Sequence, residues 1–162
     1  MYGVSTVAVT MSLETTELTV SEGACYVNVT IQKEGETTVD SQVIVNTIQS
    51  GTAVGKFVDV PCICSNSDIL YSCFSSSTKV GEDFLLVETE VTFSPTESRK
   101  IVTIPLVNDN VQELREWFVA ELDLPVGQVG VDLGSPAVAN ITIVDDDGKW
   151  FYTPKPNKHD ID

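Results

Sequence analysis

Ala137-Val138-Ala139-Asn140-Ile141-Thr142-Ile143-Val144-Asp145-Asp146-Asp147-Gly148 decides how this chain is read. Apolar and polar residues alternate from Ala137 to Val144, the period of a half-buried β-strand, and the strand stops on three consecutive aspartates. Carboxylates about 4 Å apart repel by roughly 4 kcal/mol per pair at an effective dielectric near ~20, so a folded cluster of them favours a bound cation. A second acidic stretch, Asn108-Asp109-Asn110-Val111-Gln112-Glu113-Leu114-Arg115-Glu116, also follows a strand. If both strand ends lie on one side of the fold, their carboxylates converge on that cation.

Outward from this stretch, the same two-residue alternation recurs along the whole chain, with turn residues between short strands and no long helical stripe. The first strand region is Val7 to Val20, broken near Glu14-Thr15-Thr16. The second is Cys25 to Ile31, with Val27, Val29 and Ile31 on one face and Asn28 and Thr30 on the other. The others are Val39 to Ile48, Phe84 to Phe93, Arg99 to Val107, Trp117 to Leu124 and Ala137 to Val144. Seven strands suit an all-β, antiparallel sandwich of two sheets. Pro105 has no N–H to give a ladder, which puts the fifth strand at an edge or on a bulge. Trp117 reads as a core or sheet-face residue.

The 162 residues fit one domain, and 42% hydrophobic with 20% charged residues is enough for a core. The domain is expected over residues 1–148, with a cysteine-containing insertion at about 54–80. Residues 149–162, with Pro154, Pro156 and several lysines, read as a linker or tail. A net charge of -15, from 24 acidic against 9 basic residues, argues against nucleic acid and anionic membranes as partners. No stretch approaches the roughly 18 uninterrupted apolar residues of a membrane span.

Cys25, Cys62, Cys64 and Cys73 form an even set, three of them in a serine-rich polar stretch, and read as disulfides. Cys62 and Cys64 lie too close in sequence to bridge each other readily, so each is expected to pair with Cys25 or Cys73, in an order the spacing leaves open. Zinc is the rival, but Cys-Ile-Cys is a poor match to paired zinc ligands, and the only histidine, His159, is in the tail.

With strands running alternately up and down, four segments share one rim: Ser21-Glu22-Gly23, the stretch from Gln49 to Asp83, Asn108 to Glu116, and Asp145-Asp146-Asp147. The opposite end receives Gln32 to Thr38, Ser94 to Ser98 and Pro125 to Ser135, which are poorer in acids. Ca²⁺ takes about 6 to 8 oxygens in a tolerant geometry, whereas Mg²⁺ demands a near-ideal octahedron and keeps its waters, so Ca²⁺ is the expected ion.

Val20-Ser21-Glu22-Gly23, Ser50-Gly51-Thr52-Ala53, Gly81-Glu82-Asp83-Phe84, Val91-Thr92-Phe93-Ser94-Pro95, and Leu133-Gly134-Ser135-Pro136 leading to Ile141-Thr142-Ile143-Val144-Asp145-Asp146-Asp147 together resemble a Calx-beta domain over about residues 5 to 148. The resemblance implies an immunoglobulin-like β-sandwich holding several Ca²⁺ ions at one end, as in regulatory domains of sodium-calcium exchangers and tandem arrays of extracellular adhesion proteins. It carries side-chain ligand roles to Glu22, Asp109, Glu113, Glu116, Asp145, Asp146 and Asp147, and a backbone-carbonyl role to Val111. Ser50 stands where the family's calcium binders carry an aspartate. Asp59, Asp68, Glu82 or Asp83 is then a candidate to replace it; the alternative is a capping loop without ligands.

Asn28-Val29-Thr30 and Asn140-Ile141-Thr142 are glycosylation sequons whose asparagines point away from the inferred core. Catalysis is not expected: the folded part has no histidine to serve a nucleophile, no phosphate-binding glycine loop, and only 7% aromatics to line a sugar cleft. The leading expectation is a calcium-binding repeat module of a secreted or cell-surface adhesion protein, stiffening the junction with neighbouring domains, with self-association or cell-surface partners. The alternatives are an intracellular calcium sensor regulating a membrane transporter such as a sodium-calcium exchanger, and a metal-independent adhesive module.

Overall fold

The computed structural model describes residues 9–56, 65–66, 69–70, 83–108 and 112–146. Expectations that fall on Asp59, Cys62, Cys64, Asp68, Cys73, Glu82, Asp109, Val111, Asp147 and the segment 149–162 lie outside them.

Among the described residues, thirteen strands follow in chain order. They are β1 (Val9–Leu13), β2 (Glu17–Ser21), β3 (Tyr26–Glu34), β4 (Ser41–Ile48), β5 (Gly55–Lys56), β6 (Ser65–Asn66), β7 (Ile69–Leu70), β8 (Phe84–Leu85), β9 (Glu88–Phe93), β10 (Arg99–Pro105), β11 (Glu116–Asp123), β12 (Val131–Leu133) and β13 (Val138–Val144). One sheet has the order β10-β3-β1-β12 and the other β2-β13-β11-β4-β9; β5 pairs with β8, and β6 with β7. The sandwich is as expected, but four and five strands in its two sheets exceed the seven read from the sequence.

The break expected near Glu14-Thr15-Thr16 accounts for one of the extra strands. The Thr15 hydroxyl donates to Glu17 O at 2.8 Å and accepts from Glu17 N at 3.2 Å, and this turn carries the chain from one sheet to the other. The other is β12, in the stretch read as a turn between Pro125 and Ser135. It lies parallel to β1, Val9 facing Val131, while β13 lies parallel to β2, Asn140 facing Glu17. The fold is therefore not purely antiparallel. β1–β2 and β12–β13 each rise in one direction and change sheets midway. Their crossovers are bonded together: Gly134 N–H donates to Met11 O at 2.7 Å and Leu13 N–H to Pro136 O at 2.7 Å.

Alternation sets the core. Val27, Val29 and Ile31 of β3 are buried, as are Phe118, Ala120 and Leu122 of β11, and Phe93 and Val91 of β9. Each of the valine, isoleucine, leucine and phenylalanine side chains among them contributes roughly 1.5–3 kcal/mol relative to exposure. Phe84 stacks on Phe118 with ring centroids 3.8 Å apart and planes inclined by 8°. The expected fourth strand is interrupted at Leu86-Val87, where Val87 N–H donates to Thr47 Oγ1 at 2.7 Å. Pro105 ends β10, an edge strand, as its missing donor requires.

Far from the acidic turns, Lys33 is buried at 6% exposure and donates from Nζ to Ser94 O at 2.6 Å and Pro95 O at 3.1 Å. Its charge is thus matched by the carbonyls of the turn that joins β9 to β10.

Candidate metal centre

β2 runs directly into a 3-10 turn, Glu22–Ala24, in which Glu22 is buried at 4% exposure. Cys25 closes the turn in the left-handed region at φ 68, its N–H donating to Glu22 O at 2.9 Å. A Cβ on Gly23 would lie 2.4 Å from Asp146 Oδ2, so glycine lets the turn press against the exit of β13. Ser21 Oγ donates to the same Asp146 oxygen at 2.8 Å.

Asp145, one residue earlier, accepts Glu113 N–H at 3.1 Å and so ties the loop before β11 to the end of β13. That loop brings Glu113, and the first residue of β11 brings Glu116, up to Asp83. One carboxylate oxygen from each of Asp83, Glu113 and Glu116 lies within 4.8 Å of the others; Asp83 is buried and the two glutamates half-buried.

Asp83 belongs to the unit that β8 and β5 form. Its Oδ2 accepts Val54 N–H at 2.6 Å. The preceding Ser50-Gly51-Thr52-Ala53 packs on Trp117, the neighbour of Glu116. Trp117 N–H donates to Thr52 Oγ1 at 3.3 Å, Ala53 N–H donates to Trp117 O at 3.1 Å, and a Cβ on Gly51 would fall 2.1 Å from Trp117 O. Trp117 itself is a sheet-face residue at 39% exposure.

The electrostatics of the cluster follow from its geometry. Burial, then a hydrogen bond to Asp83 and the charges of Asp83 and Glu113, push the Glu116 carboxyl up from 4.5 to about 7. Two full charges 4.8 Å apart repel by roughly 3 kcal/mol at an effective dielectric near ~20. The cluster holds either a shared proton or a cation. Its donors are all carboxylate oxygens, the set a hard divalent ion takes rather than zinc.

Of the residues singled out in the sequence, Glu113 and Glu116 join the cluster, Asp145 abuts it, and Asp146 meets the turn that carries Glu22 through Ser21 and Gly23. Asp83 was only one of four candidate replacements, because its carboxylate falls just before a strand inside a long irregular stretch. Cys25 is not a free thiol. Asn28 and Asn140 are exposed on the outer faces of opposite sheets, and Asn28 Oδ1 accepts from Thr103 Oγ1 at 2.8 Å. Among the described residues, no helix is long and apolar enough to cross a membrane.

The sequence profile of the Calx-beta domain matches residues 5–60 and 57–147. The chain belongs to the Calx-beta family. This Calx-beta domain is similar in fold to the apo-form Calx CBD1 domain, with a TM-score of 0.64 and 24% identity over 86% of this chain and 99% of that one. It is also similar to CBD12 from CALX1.2, with a TM-score of 0.62 and 25% identity over 85% of this chain. The calcium binding domain CBD12 of CALX1.1 gives a TM-score of 0.62 and 26% identity over 85% of this chain. The Calx-beta domain spans 45% and 44% of those two longer chains. No curated protein sequence matches it.

Proposed function

We propose that this Calx-beta domain is a calcium-binding structural module of a secreted or cell-surface multidomain adhesion protein, in which Ca²⁺ neutralises the acidic rim and stiffens the junction with the next domain. The observation that carries the reading is the tethering of the exit of β13 to the rim, Asp145 by the Glu113 amide and Asp146 by Ser21. An ion that orders these carboxylates orders the departing chain with them. Glu22, Glu113, Glu116, Asp145 and Asp146 are the described residues proposed to hold it, with Asp109, Val111 and Asp147 added by the resemblance.

Disulfides among Cys25, Cys62, Cys64 and Cys73, and glycans on the exposed Asn28 and Asn140, belong to the same extracellular reading. A thermal melt with and without calcium tests the core of it. Occupancy at about 100 times the dissociation constant adds about 2.7 kcal/mol of stability, and calorimetric titration then counts the ions. Scattering from this domain joined to its natural neighbour tests the stiffening; profiles identical with and without calcium would refute it.

A second reading, an intracellular sensor regulating a transporter such as a sodium-calcium exchanger, is supported by the likeness to the calcium binding domain CBD12 of CALX1.1. A thiol assay on native protein separates the two. Four reactive thiols favour the sensor and none favours the secreted module. Affinity separates them again: sensors bind near about 10⁻⁷ to 10⁻⁵ M and extracellular modules near about 10⁻⁴ to 10⁻³ M.

A further inference from the structure

We infer that a hollow on the outer face of the five-stranded sheet receives an arginine side chain from an extended segment of a partner protein, an interaction that uses none of the proposed calcium ligands. The hollow has a volume of about 340 Å³ and is lined by Asn46 and Ile48 of β4, by Leu86 and Val87, by Glu88 at the start of β9, and by Glu121 of β11. That is the lower end of the roughly 300 to 1,000 Å³ of small-ligand sites, room for one long side chain. It lies where β8 and β9 fail to join. Thr47 N–H donates to Val87 O at 2.9 Å and Val87 N–H to Thr47 Oγ1 at 2.7 Å, so the break is a bonded part of the fold.

Ile48, Leu86 and Val87 supply apolar walls, which suit an aliphatic stem. The charge comes from two carboxylates in one row. Asn46 is the direct partner of Glu121 in β11 and of Glu88 in β9, and directly opposed residues share a face. The ion pairs formed among the described residues, Arg99–Glu14 and Lys100–Glu97, lie elsewhere, so neither carboxylate meets a basic side chain of this chain's described residues. Glu90, one row on, differs: its Oε1 accepts from Gln42 Nε2 at 2.5 Å. The spacing selects a guanidinium. Glu121 and Glu88 stand on strands with β4 between them, backbones roughly 9–10 Å apart. A compact ammonium sits against one carboxylate, whereas the planar guanidinium spreads five donors on a wide fork toward both, with the Asn46 carbonyl as a further acceptor.

The source follows from the sheet edge. β9 is the last strand of its sheet, and the side turned away from β4 makes no ladder among the described residues. Such an edge takes an extended segment as an added strand, whose alternate side chains fall into pockets beside it. The net charge of -15 favours a basic segment over an acidic one.

The test is an amide-resolved NMR titration of the whole chain in excess Ca²⁺ with three probes: the peptide acetyl-Val-Thr-Arg-Thr-Val-amide, its citrulline analogue, which is uncharged and nearly the same shape, and Nα-acetyl-arginine amide. The expected result is saturable shifts concentrated on the amides of Asn46, Ile48, Val87, Glu88 and Glu121, with the other two probes at least about threefold weaker than the peptide. Glu88→Gln and Glu121→Gln, at side chains on the outer face, should each weaken the peptide by about threefold while leaving the spectrum of a folded protein. Shifts spread evenly over the acidic surface, or centred on the rim, overturn the inference. So does unchanged affinity in either variant. A single arginine that binds as tightly as the peptide overturns the partner segment as its source.

Discussion

Phe84 lies face to face with Phe118, ring centroids 3.8 Å apart, and this stack mounts the two acids that precede it in sequence, Asp83 and Glu116, on one rigid base. Both rings are fully buried. The core and the metal centre are therefore a single mechanical unit at this end of the sandwich, and a change in one is felt in the other.

Phe84→Ala is expected to cost about 3–5 kcal/mol through lost transfer energy and the cavity left behind. Because the stack positions Asp83, calcium affinity falls too. Urea unfolding in chelator, followed by calcium titration under conditions where the variant is still folded, measures the two effects separately.

Metal-free stability is expected to fall as pH rises. Glu116 titrates at about 7 in the fold against an ordinary 4.5, so the folded state binds its proton more tightly than the unfolded chain. The resulting stabilisation is fully present below pH 4.5 and is lost as pH rises through about 7. Melts in chelator at pH 5.5 and pH 8 should show the higher midpoint at about pH 5.5, and Glu116→Gln should narrow the difference. Calcium, which needs the carboxylate deprotonated, reverses the trend and releases protons on binding near neutral pH. Calorimetry in two buffers of different ionisation enthalpy reads that release.

Gly51→Ala and Gly23→Ala should behave differently although both glycines pack tightly. At Gly51 the new methyl meets the backbone carbonyl of Trp117 at 2.1 Å as well as its ring, neither of which yields easily. A loss of about 1–3 kcal/mol is expected. At Gly23 it meets the end of the exposed Asp146 side chain at 2.4 Å, which can swing away. Stability is then nearly kept while calcium affinity drops. Paired melting and titration experiments distinguish the two patterns.

Lys33→Met leaves the Ser94 and Pro95 carbonyls without their donor and is expected to cost about 1–3 kcal/mol. Lys33 sits at the end of the sandwich away from the acids, so calcium affinity per folded molecule should match wild type. A changed affinity would count against the separation of the two ends.

Much of the fold was legible because one sheet face is buried and the other is not. That contrast writes a two-residue period into Val27-Asn28-Val29-Thr30-Ile31 and into Ala137 to Val144. The strand number was less legible. Val131–Leu133 is three residues long, and the glycines and prolines around it read as a turn, so its pairing with β1 was invisible locally. Because β1–β2 and β12–β13 each keep one direction while changing sheets, β2 and β13 end side by side, Ser21 opposite Val144.

The sequence by itself determined the all-β pattern and the residue types that suit a hard cation, since these follow from periodicity and charge along the chain. Only the tertiary structure decided which carboxylates meet. Asp83 and Glu116 are 33 positions apart, and they face each other because Phe84 stacks on Phe118 and Val54 holds the Asp83 carboxylate. No local pattern encodes such a contact, because it arises from the packing of one sheet's core against another segment's backbone.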